Sequence, residues 1–106
     1  MEYILAHDIG TEVNKASIVD IKGNVIGTCT EEYNVSYPET GWAEQDPEMW
    51  WNAIVKTTKG VLEKTAIKPK DVICITFDSM MMNPIPVDKN GSALRPALIW
   101  LDTRAG

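Results

Sequence analysis

Asp8-Ile9-Gly10-Thr11 closes the first apolar run of the chain, and its residue types suit anion and metal chemistry. Gly10 lets a backbone approach a ligand closely, while the turn's amides and the Thr11 hydroxyl can donate to phosphate oxygens. Asp8, at a strand end, can hold Mg²⁺ through water, since that ion keeps much of its hydration shell and takes few carboxylates beside phosphate. Lys15 returns a positive charge nearby. The same four residues also suit an ordinary β-turn whose aspartate and threonine satisfy local backbone groups. A second group, Thr76 to Asn83, lies at the exit of an apolar run, where open α/β sheets tend to bind ligands. Met80, Met81 and Met82 can line an adaptable apolar wall there or simply fill core, and Asp78, Ser79 and Asn83 offer hydrogen bonds. The third group is Trp100-Leu101-Asp102-Thr103-Arg104. Trp100 can lie flat on the CH face of a polyol while Asp102 or Arg104 bonds its hydroxyls. Equally, Trp100 can be core, with Asp102 and Arg104 a surface ion pair.

Positioning these groups requires a mixed set of elements. Tyr3 to Asp8 reads as a strand stopped by Gly10, Lys15 to Asp20 as a second, and Val25 to Val35 as a third, giving two successive hairpins. Ser36 to Gln45 is polar and turn-rich. Asp46 then supplies a helix cap, Pro47 suits the first helical position, and Glu48 complements the positive end of the helix dipole. Trp51, Ile54, Val55, Val61 and Leu62 recur at helical spacing and predict one apolar face, ending near Thr65 or Ala66. Gly60 in that run costs about 1 kcal/mol relative to alanine. The Trp50-Trp51 pair reads as helix packing, and His7 as a satisfied side chain within its strand. Asp71 to Phe77 is nearly continuously apolar, which predicts a central strand covered on both faces. Asn83 to Val87 predicts a further strand, bulged or at an edge because of Pro84 and Pro86. The order β-β-β-α-β-β defines an α/β layer architecture with a mixed sheet.

Composition narrows the function classes. The 106 residues make one domain or a piece of one, 44% hydrophobic and 24% charged, with a net charge of −5. That acidity argues against general binding to a phosphate backbone. No apolar run is long enough to span a bilayer, which predicts no membrane partner. Cys29 and Cys74 stand apart, outside any CxxC pattern, and His7 is the single histidine, so neither a disulfide framework nor a Cys/His metal site is expected. A reduced, cytoplasmic setting follows.

Individually modest, the motifs are specific in their order. Asp8-Ile9-Gly10-Thr11, then Gly41-Trp42-Ala43-Glu44-Gln45-Asp46-Pro47 ahead of a tryptophan-bearing helix, then Pro84 to Gly91 and Leu94 to Arg104, resemble the N-terminal stretch of the FGGY carbohydrate kinases, xylulokinase-type members above all. The resemblance runs over essentially the whole chain. It implies an actin-like ATPase, ribonuclease-H-like fold, of which residues 1–106 are an incomplete N-terminal domain. It implies ATP-dependent phosphorylation of a xylulose-like ketose or polyol by the intact protein, with ATP and Mg²⁺ as cofactors and a homodimer as one possible assembly. By the same resemblance Asp8, Gly10, Thr11 and Lys15 serve the phosphates and Mg²⁺. Met81, Met82, Trp100, Asp102 and Arg104 then serve the sugar. The aspartate that activates the acceptor hydroxyl and the adenosine pocket belong to later parts of such kinases, so the segment alone is expected to be inactive. Several positions depart from the pattern. Glu12 and Val13 follow Thr11 where small or hydroxyl residues are usual, and Met80, Met82 and Asn83 stand where glutamine, histidine and glycine are usual. A non-catalytic binding module on the same fold, with a degenerate phosphate loop, is the alternative these departures support.

Overall fold

The computed structural model describes all residues 1–106. Strands β1 (Tyr3–Ile9), β2 (Val13–Asp20) and β3 (Val25–Glu32) form the two expected antiparallel hairpins. A two-residue strand β4 (Glu44–Gln45) precedes helix α1 (Pro47–Thr65). A 3₁₀ turn at Pro69–Asp71 leads into β5 (Val72–Ser79), and β6 (Ala97–Leu98) follows a long irregular stretch. The main sheet has the order β3-β2-β1-β5, with β5 parallel to β1, and β4 pairs β6 in a small second sheet.

The start of α1 is as its sequence dictates. Asp46 has extended backbone and its carboxylate accepts the Glu48 N–H at 3.0 Å, with Pro47 directly inside. The helix ends at Ala66 in left-handed conformation, whose N–H reaches the Glu63 carbonyl. Its seam against β2 and β3 keeps Val61 and Leu62 of the expected face and departs from it elsewhere. Ala53, Thr57 and Val61 are the buried residues, and Trp51 is 59% exposed. Close approach explains the shift. A Cβ on Gly60 would stand 2.6 Å from Cys29 Sγ on β3, so small residues, not large ones, bring helix and sheet together. The core consists of Leu5, Ala16, Ile18 and Val61, with Tyr3, Cys29, Leu62, Ile67 and Val72 around it.

Two expectations about strands are corrected. β5 is not central and covered on both faces but lies at the sheet edge, with Ile75 and Phe77 more than half exposed. A continuous apolar run encodes what a strand will bury, and within these residues only β1 flanks it. Asn83 to Val87 is not a strand. Pro84 and Pro86 lack ladder donors, and only an isolated bridge joins Val87 to Ala93. The sixth strand is Ala97–Leu98, and its partner is the Glu44–Gln45 pair that the sequence placed among turns.

A polar group is sealed between β1, β2 and α1. His7, Asn14 and Thr57 are all buried, and Asn14 Oδ1 receives the Thr57 hydroxyl at 2.6 Å and faces His7 Nδ1 at 3.3 Å. His7 Nε2 meets the Thr58 hydroxyl at 2.9 Å. His7 is thus the satisfied strand residue its position suggested. Burial lowers its pKa, partly opposed by the Asn14 hydrogen bond.

Candidate phosphate and sugar site

Residues 10 to 13 form a tight turn between β1 and β2, closed by the Gly10 N–H on the Val13 carbonyl at 2.9 Å. A side chain at Gly10 would place Cβ 3.1 Å from that carbonyl oxygen, tighter than ordinary contact. The turn is clamped from two sides. The Tyr33 hydroxyl donates to the Gly10 carbonyl at 2.5 Å, and burial with the nearby Asp8 charge pushes its pKa up to about 12. Gln45 Nε2 donates to the Thr11 carbonyl at 2.6 Å, while Gln45 Oε1 accepts the Trp50 indole N–H at 2.9 Å. Sequence reasoning did not single out Tyr33 or Gln45. Gln45 sits in the Glu-Gln-Asp-Pro segment that carried the resemblance, and Tyr33 left no comparable signal.

Asp8 lies on the sheet face opposite α1, in register with Lys15 on β2 and with Asp78 on β5. Asp78, which the sequence offered as a hydrogen-bonding residue at a strand exit, is thus the cross-strand neighbour of Asp8. A hydrogen bond that the protonated Asp78 carboxyl donates to Asp8, together with burial and the Asp8 charge, raises the Asp78 pKa. This donor set is all oxygen and suits Mg²⁺ rather than a soft metal. No cluster of three or more His, Cys, Asp or Glu residues is present. Two carboxylates without a full protein cage match the way Mg²⁺ binds when phosphates complete its shell. Glu12 lines a separate groove of about 520 Å³ with Glu32 and Tyr33 to Val35.

The Trp100 to Arg104 segment meets the turn directly. The Trp100 indole N–H donates to Thr11 Oγ1 at 2.8 Å, and its backbone N–H donates to Asn83 Oδ1 at 2.9 Å. Asp102 and Arg104 form an internal clamp. Asp102 Oδ2 accepts the Ala43 N–H at 2.8 Å, and both Asp102 oxygens take the Arg104 guanidinium at 2.6–3.0 Å. Arg104 also reaches Glu44 at 2.8 Å and lies over the Trp42 ring at 3.9 Å. Arg95 joins Glu44 from the other side. The Arg104 hydrogen bonds hold the Asp102 pKa down to about 2, and Asp102 raises that of Arg104. These contacts fasten β6 to β4. Met81 and Met82 are exposed, and Met82 has φ +65°, a left-handed backbone uncommon for a methionine. Met80 and Asn83 line a groove of about 390 Å³ with Ile9, Trp50, Trp51 and Ile54. The structure thus unites Thr11 with Trp100 and Asp8 with Lys15 and Asp78. Asp102 and Arg104 face Trp42 to Glu44, and Met81 and Met82 face solvent.

The hairpin pair, the parallel β5 and the turn between β1 and β2 define part of an actin-like ATPase fold of the sugar-kinase kind. The chain belongs to the FGGY family of carbohydrate kinases, whose N-terminal domain it matches over residues 3–106. It is 34% identical over 104 residues to a xylulose kinase of Staphylococcus xylosus, covering 98% of this chain and 21% of that protein. Over 100 residues it is 35% identical to a glycerol kinase of Caldanaerobacter subterraneus subsp. tengcongensis, covering 93% of this chain and 20% of that protein. It superposes on the crystal structure of Plasmodium falciparum glycerol kinase with ADP at a TM-score of 0.87 and 26% identity, covering 98% of this chain and 21% of that one. The chain therefore spans about a fifth of the length of the relatives it matches. No helix is long and apolar enough to cross a membrane.

Proposed function

We propose that these residues are the N-terminal segment of an ATP-dependent kinase that phosphorylates a hydroxyl of a ketose or polyol in the cytoplasm. The observation that carries this reading is the hydrogen bond from Trp100 to Thr11, which sets the proposed sugar wall against the proposed phosphate turn. Bound ATP with Mg²⁺ would supply the γ-phosphoryl group and neutralise its charge during in-line transfer. Asp8, with Asp78 beside it, offers carboxylate oxygens to the ion's water shell. The Gly10-Thr11 turn, rigid between Tyr33 and Gln45, presents its amides and the Thr11 hydroxyl to phosphate oxygens. Lys15 adds positive charge on the same side of the turn. Trp100 offers an indole face to the carbon skeleton, with Met81 and Met82 as an exposed apolar border. Asp102 and Arg104 act on the sugar by holding Trp100's segment against β4. Catalysis rests on positioning and charge stabilisation, and the residue that deprotonates the acceptor lies outside these residues.

Similarity at 34% and 35% to a xylulose kinase and a glycerol kinase leaves the acceptor to be chosen by experiment. Screening the intact protein with ATP and Mg²⁺ against pentuloses, tetruloses and polyols, with ADP release as readout, tests the reading. Saturable, acceptor-dependent ADP release is expected, and none from residues 1–106 alone. A full-length protein that releases no ADP with any acceptor would favour the non-catalytic module.

A further inference from the structure

Thr11 is held at two of its atoms by different parts of the chain. Its carbonyl is fixed by Gln45, which Trp50 holds in turn, so the backbone of the turn is anchored from behind. Its hydroxyl oxygen accepts the Trp100 indole N–H at 2.8 Å across 89 positions of sequence. Because the hydroxyl acts there as acceptor, its own proton stays available to donate outward. Trp100 is anchored at its backbone by Asn83, where the family pattern places a glycine that has no side chain to do so. Trp100 is 53% exposed as a residue, which leaves it open to a ligand.

We propose that the Trp100–Thr11 hydrogen bond couples the two ligands, with Trp100 a positioning residue for the Thr11 hydroxyl. This rests on the kinase reading above. When the Thr11 O–H donates to a phosphate oxygen, its oxygen becomes a better acceptor, and the indole bond strengthens. The indole loses rotamer freedom at that step, so a sugar arriving on its face meets an already ordered surface. By linkage, sugar on the indole tightens nucleotide by the same factor. Asn83 keeps the ring within reach of Thr11 while both sites are empty.

The test measures binding of the Mg²⁺ complex of the imido analogue of ATP to the intact protein, with and without saturating D-xylulose or glycerol. Sugar is expected to tighten the analogue about fivefold or more in the parent protein. Trp100→Phe keeps the ring face and removes the N–H, and the ratio should fall to near one while sugar still binds. Thr11→Val should do the same, Thr11→Ser should retain the coupling, and the Trp100→Phe/Thr11→Val double variant should lose no more than either single one. The ¹⁵N-indole resonance that vanishes in Trp100→Phe should shift in Thr11→Val and stay near its place in Thr11→Ser. Both ligands binding with an unchanged ratio in Trp100→Phe, or a ratio of one in the parent protein, would overturn the coupling and leave the kinase reading intact. Failure of the parent protein to bind either ligand would overturn the kinase reading and the coupling with it.

Discussion

Replacing Thr57 by valine removes one hydroxyl from the sealed polar group that joins α1 to β1 and β2. The Thr57 proton is shared between Asn14 Oδ1 at 2.6 Å and the Ala53 carbonyl at 2.9 Å. Asn14 is fully buried, and its amide nitrogen already lacks a partner. Leaving a buried polar group short of a partner costs about 1–3 kcal/mol. The added methyl group returns up to about 0.8 kcal/mol. His7 still faces Asn14 Oδ1, which keeps the cost in the lower half of the range. The expected loss is about 1–2 kcal/mol. Asn14→Leu alone strands His7 Nδ1 and costs a similar amount, whereas Thr57 keeps its bond to Ala53. In the double variant the amide and hydroxyl are gone together, so the cost should fall short of the sum by about 1 kcal/mol. Urea unfolding at pH 7.5, where His7 is neutral, reads these values as midpoint shifts of about 1 M for a slope near 1.5 kcal/mol/M. Additive single costs, or a Thr57→Val chain as stable as its parent, would refute the view that this group is an interdependent unit. The outcome bears on function, because Asn14 directly follows the Gly10 to Val13 turn and ties it to the helix.

Other consequences are equally direct. Burial lowers the His7 pKa below its unfolded value of about 6.5, so the unfolded chain binds the extra proton. Stability is therefore fully present above about pH 6.5 and falls as pH drops towards the folded pKa; His7→Gln should flatten that slope in urea midpoints from pH 7.5 to 5.5. Gly60→Ala should destabilise by about 1–2 kcal/mol, since crowding against Cys29 outweighs the helix-propensity gain, and Cys29→Ala in the same chain should relieve it. In ¹³C-carboxyl titrations Asp102 should titrate near 2, and Arg104→Lys should move it back towards the ordinary carboxylate range. Asp78 should titrate above that range and return to it in Asp8→Asn.

The first half of the fold was readable because each element carries its own local instruction. The Asp46-Pro47-Glu48 start fixes α1, and glycine turns separate strands of ordinary length. The helix seam is legible in part: Val61 and Leu62 pack the core as periodicity predicts, but periodicity also rewards the exposed Trp51, whereas close packing is achieved by Ala53, Thr57 and Gly60. Strands β4 and β6 have two residues each, too short for any periodicity, and are held by the Glu44, Arg95, Asp102 and Arg104 side chains, with Glu44 reached across 51 and 60 positions. The edge position of β5 depends on which strands are present beside it, which its own residues do not encode. In the candidate site, Asp8 was legible as a strand end and Gly10 and Thr11 as the turn that follows it. The Asp8–Asp78 pair and the Thr11–Trp100 bond were not, since both arise from register and loop packing between distant residues.

The most direct measurement of the central claim is a ³¹P-NMR assay of the intact protein with ATP, Mg²⁺ and either D-xylulose or glycerol. Transfer predicts loss of the γ-phosphate resonance matched one-for-one by a sugar or polyol phosphomonoester signal, sharply reduced in Asp8→Asn. ATP persisting unchanged with every acceptor, or hydrolysed only to inorganic phosphate, would contradict the account.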